Sequence, residues 1–217
     1  MVKLEADLRA TLLAGLAALQ LELSELQITQ LLDYQVMIGK WTRVYNLTSV
    51  RDPSEMMTHH LLDSLTVIAP LRRHMTQGKL LDVGSGAGLP GAVIAICCPA
   101  IAVTCVDTVA KKATFIKQVA LELKLSNLAG LHARVENITE PFDVICSRAF
   151  SSLPDFTQWS AKALAAAGVW MAMKGKHPAD ELAALPATVD VFHVEQLKVP
   201  GLEAERCVVW MREKSVS

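Results

Sequence analysis

Leu80-Leu81-Asp82-Val83-Gly84-Ser85-Gly86-Ala87-Gly88-Leu89-Pro90-Gly91 decides how the rest of this chain is read. An apolar run ends in a glycine-dense turn and enters an apolar segment of helical length, the sequence form of a strand, a tight loop and a helix. Glycines suit such a loop because the backbone must turn with positive φ and approach a ligand with no Cβ in the way. Pro90 suits the first helical turn, where its fixed φ is already helical and its missing N–H is not needed.

Toward the C-terminus, short apolar runs alternate with amphipathic segments, as in βα units of a parallel sheet. This texture predicts strands over Leu80–Val83, Ala102–Val106, Leu128–Ala133, Phe142–Ser147 and Val169–Met173. Helices are expected over Pro90–Cys97, Ala110–Leu123, Leu153–Ala165 and Ala179–Leu185. Val191–Val199 and Cys207–Arg212 follow with no helix-length segment between them, which predicts an antiparallel final pair. Toward the N-terminus the period becomes helical at Leu8, Leu12, Leu16 and Leu19, and Ser24 with Gln27 forms a candidate capping box. Leu26, Leu31, Leu32 and Met37 continue an apolar face into Trp41. Beyond a polar interruption at Arg51, Asp52 and Pro53, a further helix through His59, Leu62, Leu65 and Ile68 leads to Pro70. The expected organisation is a helical cap over residues 1–75, part of the same globule as an α/β domain over residues 76–217.

Composition narrows the classes. The chain has 217 residues, 52% of them hydrophobic, which suits one well-filled core and excludes disorder. With 21 Lys+Arg against 22 Asp+Glu, its net charge of −1 supplies no whole-protein field for a polyanion, so any such partner must meet a local patch. Cys97, Cys98, Cys105, Cys146 and Cys207 show neither CxxC spacing nor paired histidines, so neither a disulfide framework nor a metal site is expected. The opening MVKLEAD lacks the pattern of a signal peptide, and a cytoplasmic location is expected. Gly84 to Val106 carries no charge, yet Gly86, Gly88, Pro90, Gly91 and Pro99 punctuate it. A turn, a short helix and a buried strand explain that stretch better than a membrane span.

Three carboxylates stand at or just beyond successive strand ends: Asp82, Asp107 and Glu136. Gly86-x-Gly88-x-x-Gly91 literally matches the dinucleotide fingerprint, with Asp107 placed to bind a ribose, so an NAD-dependent oxidoreductase is one reading. Each acid also has a bland role: Asp82 as a turn cap, Asp107 as a helix N-cap, Glu136 as a solvated loop acid. Asp82 and Asp107 together favour a nucleoside site.

Asp82 before Gly84-x-Gly86-x-Gly88 resembles the first motif of class I S-adenosylmethionine-dependent methyltransferases, in which the acid helps organise the methionine end of the cofactor. Around it, in order, stand Trp41–Asp52 (WTRVYNLTSVRD), His60–Leu65 (HLLDSL), Ser147–Leu153 (SRAFSSL) and Ala172–Gly175 (AMKG). With these segments the chain resembles the RsmG (GidB) family, which methylates N7 of a guanine in small-subunit (16S) ribosomal RNA, from about Leu31 to Met211. The resemblance implies a Rossmann-like, mostly parallel seven-stranded sheet with an antiparallel last strand and an N-terminal helical cap. It implies S-adenosylmethionine as cofactor and ribosomal RNA or the ribosomal subunit as partner; a monomer is expected. Gly84, Leu89, Val135, Glu136 and Arg148 match cofactor-contacting positions, beside Asp82, Gly86 and Asp107. Asn46, His60 and Lys174 match polar positions of the cleft. Thr42 stands where many relatives carry Asn, and Leu89 where an aromatic is common.

Guanine N7 carries an in-plane lone pair and no proton, so its methylation needs no general base, and no Ser/His/Asp or Cys/His set is apparent here. Positioning can supply ~7–11 kcal/mol. Arg148, ending the fourth strand, and Lys174, ending the fifth, are the candidate catalytic residues. Arg148 is expected to contact the cofactor or guanine O6 while leaving N7 free, its plain alternative being an ion pair with a neighbouring acid. Lys174 is expected at O6 or a phosphate, or as a snorkelling surface lysine. The target guanine should be unpaired, because the major groove of duplex RNA hides N7. Lys40, Arg43, Arg51, Arg72, Arg73, Lys79, Lys111 and Lys112 are candidate phosphate contacts. An RNA-binding module that keeps the fold without activity is a further reading.

Overall fold

A computed structural model describes residues 2–214. Seven strands, β1 (Gly78–Val83), β2 (Ile101–Asp107), β3 (Leu128–His132), β4 (Phe142–Arg148), β5 (Leu164–Lys174), β6 (Val189–Leu197) and β7 (Arg206–Glu213), form one sheet in the order β3-β2-β1-β4-β5-β7-β6. Strands β1 to β5 run parallel, while β7 is antiparallel to both neighbours, with Lys174 opposite Cys207 and Leu197 opposite Arg206. This is the sheet that the resemblance implies. The chain leaves β1 toward β2 on one side and β4 lies on the other, so the strand order reverses at β1 and a crevice opens above its C-terminal end.

β1 reads as a nearly continuous apolar run because both its faces are covered. Leu80 packs into a core with Ile94 of α6 (Gly91–Cys97) and Phe115 of α7 (Ala110–Glu122). Leu81 and Val83 point the other way, into a core with Phe156 of α8 (Leu153–Ser160). Asp82 therefore shares Leu80's face, inside the first core.

The N-terminal helices, α1 (Val2–Ala18) and α2 (Glu25–Tyr45), join that same core through Leu12, Leu31, Tyr34 and Ile38. The Ser24–Gln27 capping box forms, and Gln27 Nε2 also donates to the Ile96 carbonyl at 2.8 Å, tying the start of α2 to α6. Tyr34 Oη donates to the Ala87 carbonyl at 2.6 Å, and the Trp41 ring lies 5.2 Å from Phe115. The buried face of α2 is Ile28, Leu31, Tyr34, Ile38 and Thr42, whereas Leu26, expected on it, is 67% exposed. The helical period places Leu26 nearly opposite the Ile28–Leu31 stripe.

Pro70 does not end the helix before it. The segment from Pro53 consists of α3 (Pro53–Met56), a π-helical turn (Met57–Leu62), α4 (Asp63–Leu65) and α5 (Ile68–His74). Because α5 restarts at Ile68, Pro70 sits in a first turn, where its missing N–H breaks no bond. The helix expected to reach Ala165 stops at Ser160, and after the turn Ala161–Ala163 the chain enters β5 at Leu164. Alanine-rich sequence favours helix there, but pairing of Leu164 with Phe142 and a Trp170 Nε1 to Ser160 Oγ bond of 2.9 Å prevail. The uncharged Gly84–Val106 stretch becomes the loop, α6 and β2, and no helix among the described residues is long and apolar enough to cross a membrane. A short α9 (Ala179–Ala183) follows β5.

Candidate functional site

Two cavities open over the crevice, one of about 540 Å³ on the cap side and one of about 400 Å³ on the β3 side, and Gly84 and Ala149 line both. The glycine loop forms their common floor. Gly84 (φ +65°) and Gly86 (φ +59°) both take left-handed backbone. A Cβ on Gly84 would fall 2.2 Å from the Phe150 ring, whereas one on Gly86 would meet nothing within 4 Å. The loop is tied to β2 by its own amides: Gly84 and Ser85 donate to the Val106 carbonyl at 2.9 and 3.2 Å, and Gly86 donates to Asp107 Oδ2 at 3.1 Å. Asp107 Oδ1 accepts from Val109 N at 2.8 Å, and Lys112 Nζ lies 3.4 Å from Oδ2.

Asp82 lines neither cavity. It is fully buried, accepting from Gly91 N at 2.8 Å and facing the Cys146 and Cys105 thiols at 3.6 and 3.9 Å. Burial raises its pKa to about 7, against the stabilising bond from Gly91. Its work is to fix the start of α6 beneath the loop. The same burial pushes the Cys105 and Cys146 thiols well above their ordinary range, so neither offers a ready thiolate.

The β3-side cavity gathers Asp107, Val135 and Glu136 with the rings of Phe150 and Trp159, which meet edge to face at 5.9 Å. The cap-side cavity gathers Gly86, Leu89, His60, Arg148 and Lys174. Asn46 lies outside both: it ends α2 in left-handed conformation, and its Oδ1 accepts from Arg51 at 2.8 Å. Thr42 is buried in α2 and reaches neither cavity.

Arg148 does form an ion pair, and does so at the cavity wall. Its NH1 donates to Asp63 Oδ2 at 2.7 Å and to the His59 carbonyl at 3.0 Å. The other oxygen of Asp63 accepts from Arg206 Nε at 2.9 Å, and all three residues line the cap-side cavity. Sequence reasoning quoted Asp63 within HLLDSL without giving it a role, and passed over Arg206. The available signal was a lone carboxylate among Leu61, Leu62 and Leu65, which needs a buried partner. The π-helical turn presents His60 beside them, its Nε2 2.7 Å from Thr48 Oγ1, and burial followed by the Arg148 charge lowers its pKa. Lys174 Nζ donates to the Ser151 carbonyl at 2.8 Å and to Glu181 Oε2 at 2.7 Å.

Among the candidate phosphate contacts, Arg73 pairs with Glu195, Lys79 with Glu140 and Lys112 with Asp107. Arg72 donates to the Cys97 carbonyl, Arg51 to Asn46, and Lys111 lies 5.2 Å over the Tyr45 ring. Lys40, Arg43 and Arg51 line a third cavity on the outer side of the cap. Among the described residues no group of His, Cys, Asp and Glu is arranged to hold a metal ion.

Gly91 packs α6 closely against β1 and β2, where a Cβ would fall 2.5 Å from Cys105 Sγ and 2.8 Å from Asp82 Oδ2, a role the third glycine has in the dinucleotide pattern too. Comparison with known proteins decides between the two readings, against the oxidoreductase. A ribosomal RNA small subunit methyltransferase G from Polaromonas sp. (strain JS666) is 74% identical, the match covering 98% of this chain and 95% of that protein. One from Polaromonas naphthalenivorans is 72% identical over 99% of this chain and 100% of its own. Among solved structures, a SAM-dependent methyltransferase from Thiobacillus denitrificans, in complex with S-adenosyl-L-homocysteine, superposes with a TM-score of 0.54 at 14% identity, covering 70% of this chain and 91% of that one, a likeness of fold alone. The family model described as rRNA small subunit methyltransferase G, GidB, matches residues 27–209, and the chain belongs to that family.

Proposed function

We propose that the protein transfers a methyl group from S-adenosylmethionine to N7 of a guanine in 16S ribosomal RNA. The observation that carries this reading is the shared wall: two cavities meeting at Gly84 and Ala149 suit the adenosine end of a donor in the β3-side one and, in the cap-side one, its methyl end beside an acceptor base. Asp107 and Glu136 in the β3-side cavity suit ribose hydroxyls and the polar edge of adenine, beside the Phe150 and Trp159 rings. Toward such a cofactor the loop fits, since Gly86 lines the cap-side cavity and its missing Cβ leaves open space there. Gly84, Gly86, Leu89, Val135 and Arg148 complete the proposed cofactor set, and Asp82 supports it from below through Gly91.

When bound, S-adenosylmethionine supplies an electrophilic methyl on a sulfonium. The chain's own residues then have to hold guanine N7 in line with it, which needs no proton acceptor. Arg148, already turned by Asp63 and the His59 carbonyl, is assigned to guanine O6 or the cofactor, leaving N7 uncovered. Lys174 meets O6 or a phosphate, His60 lines the base site as a neutral imidazole, and Asn46 acts at one remove by holding Arg51. Three cations, Arg148, Arg206 and Lys174, against one lining carboxylate, Asp63, suit a polyanionic substrate. Within this reading residues 1–75 are a cap on one globule, and the protein acts as a cytoplasmic monomer.

Calorimetry with S-adenosylmethionine beside NADH, followed by methyl transfer to small-subunit ribosomal RNA and mapping of the modified base, tests the proposal. Stabilisation by NADH alone, or cofactor binding without transfer, rejects it. Arg148→Ala tests the site: transfer is expected to fall at least 100-fold, and unchanged transfer together with unchanged cofactor affinity removes Arg148 from it.

A further inference from the structure

We infer that the groove on the outer side of the cap, between α1, α2 and the start of α3, seats one unstacked nucleotide of the substrate RNA. The inference rests on the RNA methyltransferase reading above. The groove holds about 390 Å³, with Val36, Pro53 and Met56 on its apolar walls and Lys40, Arg43 and Arg51 around them. Among the described residues no carboxylate lines it. Single-stranded nucleic acid binding combines cations that meet the phosphates with surfaces that take the base faces, aromatic rings as a rule and aliphatic walls in this groove. In a chain of net charge −1 the whole-molecule field offers nothing to RNA, so a local cluster of this kind has to supply the attraction.

Gly39 gives a second, independent observation. It lies within α2, where glycine is the weakest ordinary helix former, and a Cβ placed on it would meet nothing within 4 Å. No packing partner among the described residues therefore demands glycine at this position. What a larger side chain would occupy is the groove, which Gly39 lines. The location also suits a substrate contact. Leu47, Thr48 and Val50 line the cap-side cavity, while Arg51 and Pro53, next along the same segment, line the groove. The segment 47–53 thus borders both openings.

Gly39→Leu fills the groove without changing charge, and Lys40→Ala with Arg43→Ala removes two cations without filling it. Gly39→Leu is expected to leave Tm unchanged or raise it by about 2 °C, to leave S-adenosylmethionine affinity unchanged, and to weaken binding of small-subunit ribosomal RNA about tenfold. The double alanine variant is expected to lower the slope of log affinity against log salt by about 1.4, two single-strand phosphate contacts' worth. Wild-type RNA affinity in Gly39→Leu, or an unchanged salt slope in the double variant, overturns the inference while wild-type methylation stands. Wild-type protein that neither binds nor methylates the RNA overturns the activity reading and this inference together.

Discussion

The two cavities meet at Gly84 and Ala149, yet they are held by different means. On the β3 side the polar groups are set by backbone: Asp107 accepts from Val109, two residues on, and from Gly86, 21 residues back. On the cap side they are set by side-chain pairs across far longer separations, 85 residues from Arg148 to Asp63 and 143 from Arg206 to Asp63. Backbone amides closing on the Asp107 carboxylate give a frame local to the strand ends, with Lys112 offsetting its charge. A carboxylate between two guanidiniums gives a frame that leaves surplus positive charge on the wall, which suits an incoming polyanion.

Removing Asp63 is the strongest way to break this contrast. Asp63→Ala leaves two guanidiniums without their common partner, and loss of one member of a buried pair costs ~3–5 kcal/mol. The lower end, about 3 kcal/mol, is expected because the Arg148 and Arg206 side chains are 18% and 24% exposed and can rehydrate. Denaturant unfolding measures that loss. If the two cavities are independently framed, S-adenosylmethionine affinity stays within about threefold while methyl transfer falls at least 100-fold, roughly 3 kcal/mol of positioning. Parallel loss of both would mean that the cap-side pairs also hold the loop.

The same contrast explains how much could be read in advance. The sheet, its antiparallel last strand and the glycine loop are consequences of periods and turn residues within short windows, and they formed as the sequence implies. One departure came from a distant partner, as Leu164 joined β5 opposite Phe142 against its helical surroundings, and two were local: Pro70 fell in the first turn of a restarted helix and Leu26 fell off the buried face of α2. That Asp107 and Glu136 would stand near one another could be read because each follows its own strand, and they line one cavity. The pairing of Asp63 with Arg206 could not, since nothing in a window of twenty residues says that positions 143 apart will share one carboxylate. Asp82 was legible as an acid of the loop but not in its role, because the side of β1 that it faces depends on α6 packing above it.

Asp82 offers a test confined to the β1 frame. Its carboxyl ionises near 3.8 in the ordinary case and at about 7 when folded, because burial penalises the charge. Between those values the folded chain holds a proton that the unfolded chain has released, so this contribution is fully present below pH 4. It is lost as pH rises to about 7, by at most ~1.4 kcal/mol per pH unit. Asp82→Asn, which keeps an acceptor for the Gly91 amide, should flatten that limb in unfolding measured from pH 4 to 8. A limb of unchanged slope would assign the pH dependence to another group and leave Asp82 ionised in its core.

The smallest effect tests the wall between the cavities. Ala149 holds φ at +52°, in the left-handed region that costs a residue with a Cβ ~1–2 kcal/mol. Glycine avoids this cost but loses ~0.5–1 kcal/mol more chain entropy on folding, so Ala149→Gly should gain about 0.5 kcal/mol and raise Tm by 1–2 °C. The side chain is exposed, so no packing term opposes the gain. Function should move the other way. A wall shared by donor and acceptor sites must hold both in register, and a glycine between Arg148 and Phe150 frees the backbone that aims the guanidinium. Methyl transfer is therefore expected to fall about two- to threefold with cofactor affinity unchanged, under 1 kcal/mol of positioning. Transfer that rises with stability would show that the strain at Ala149 serves neither cavity, and that their junction is set by Gly84 alone.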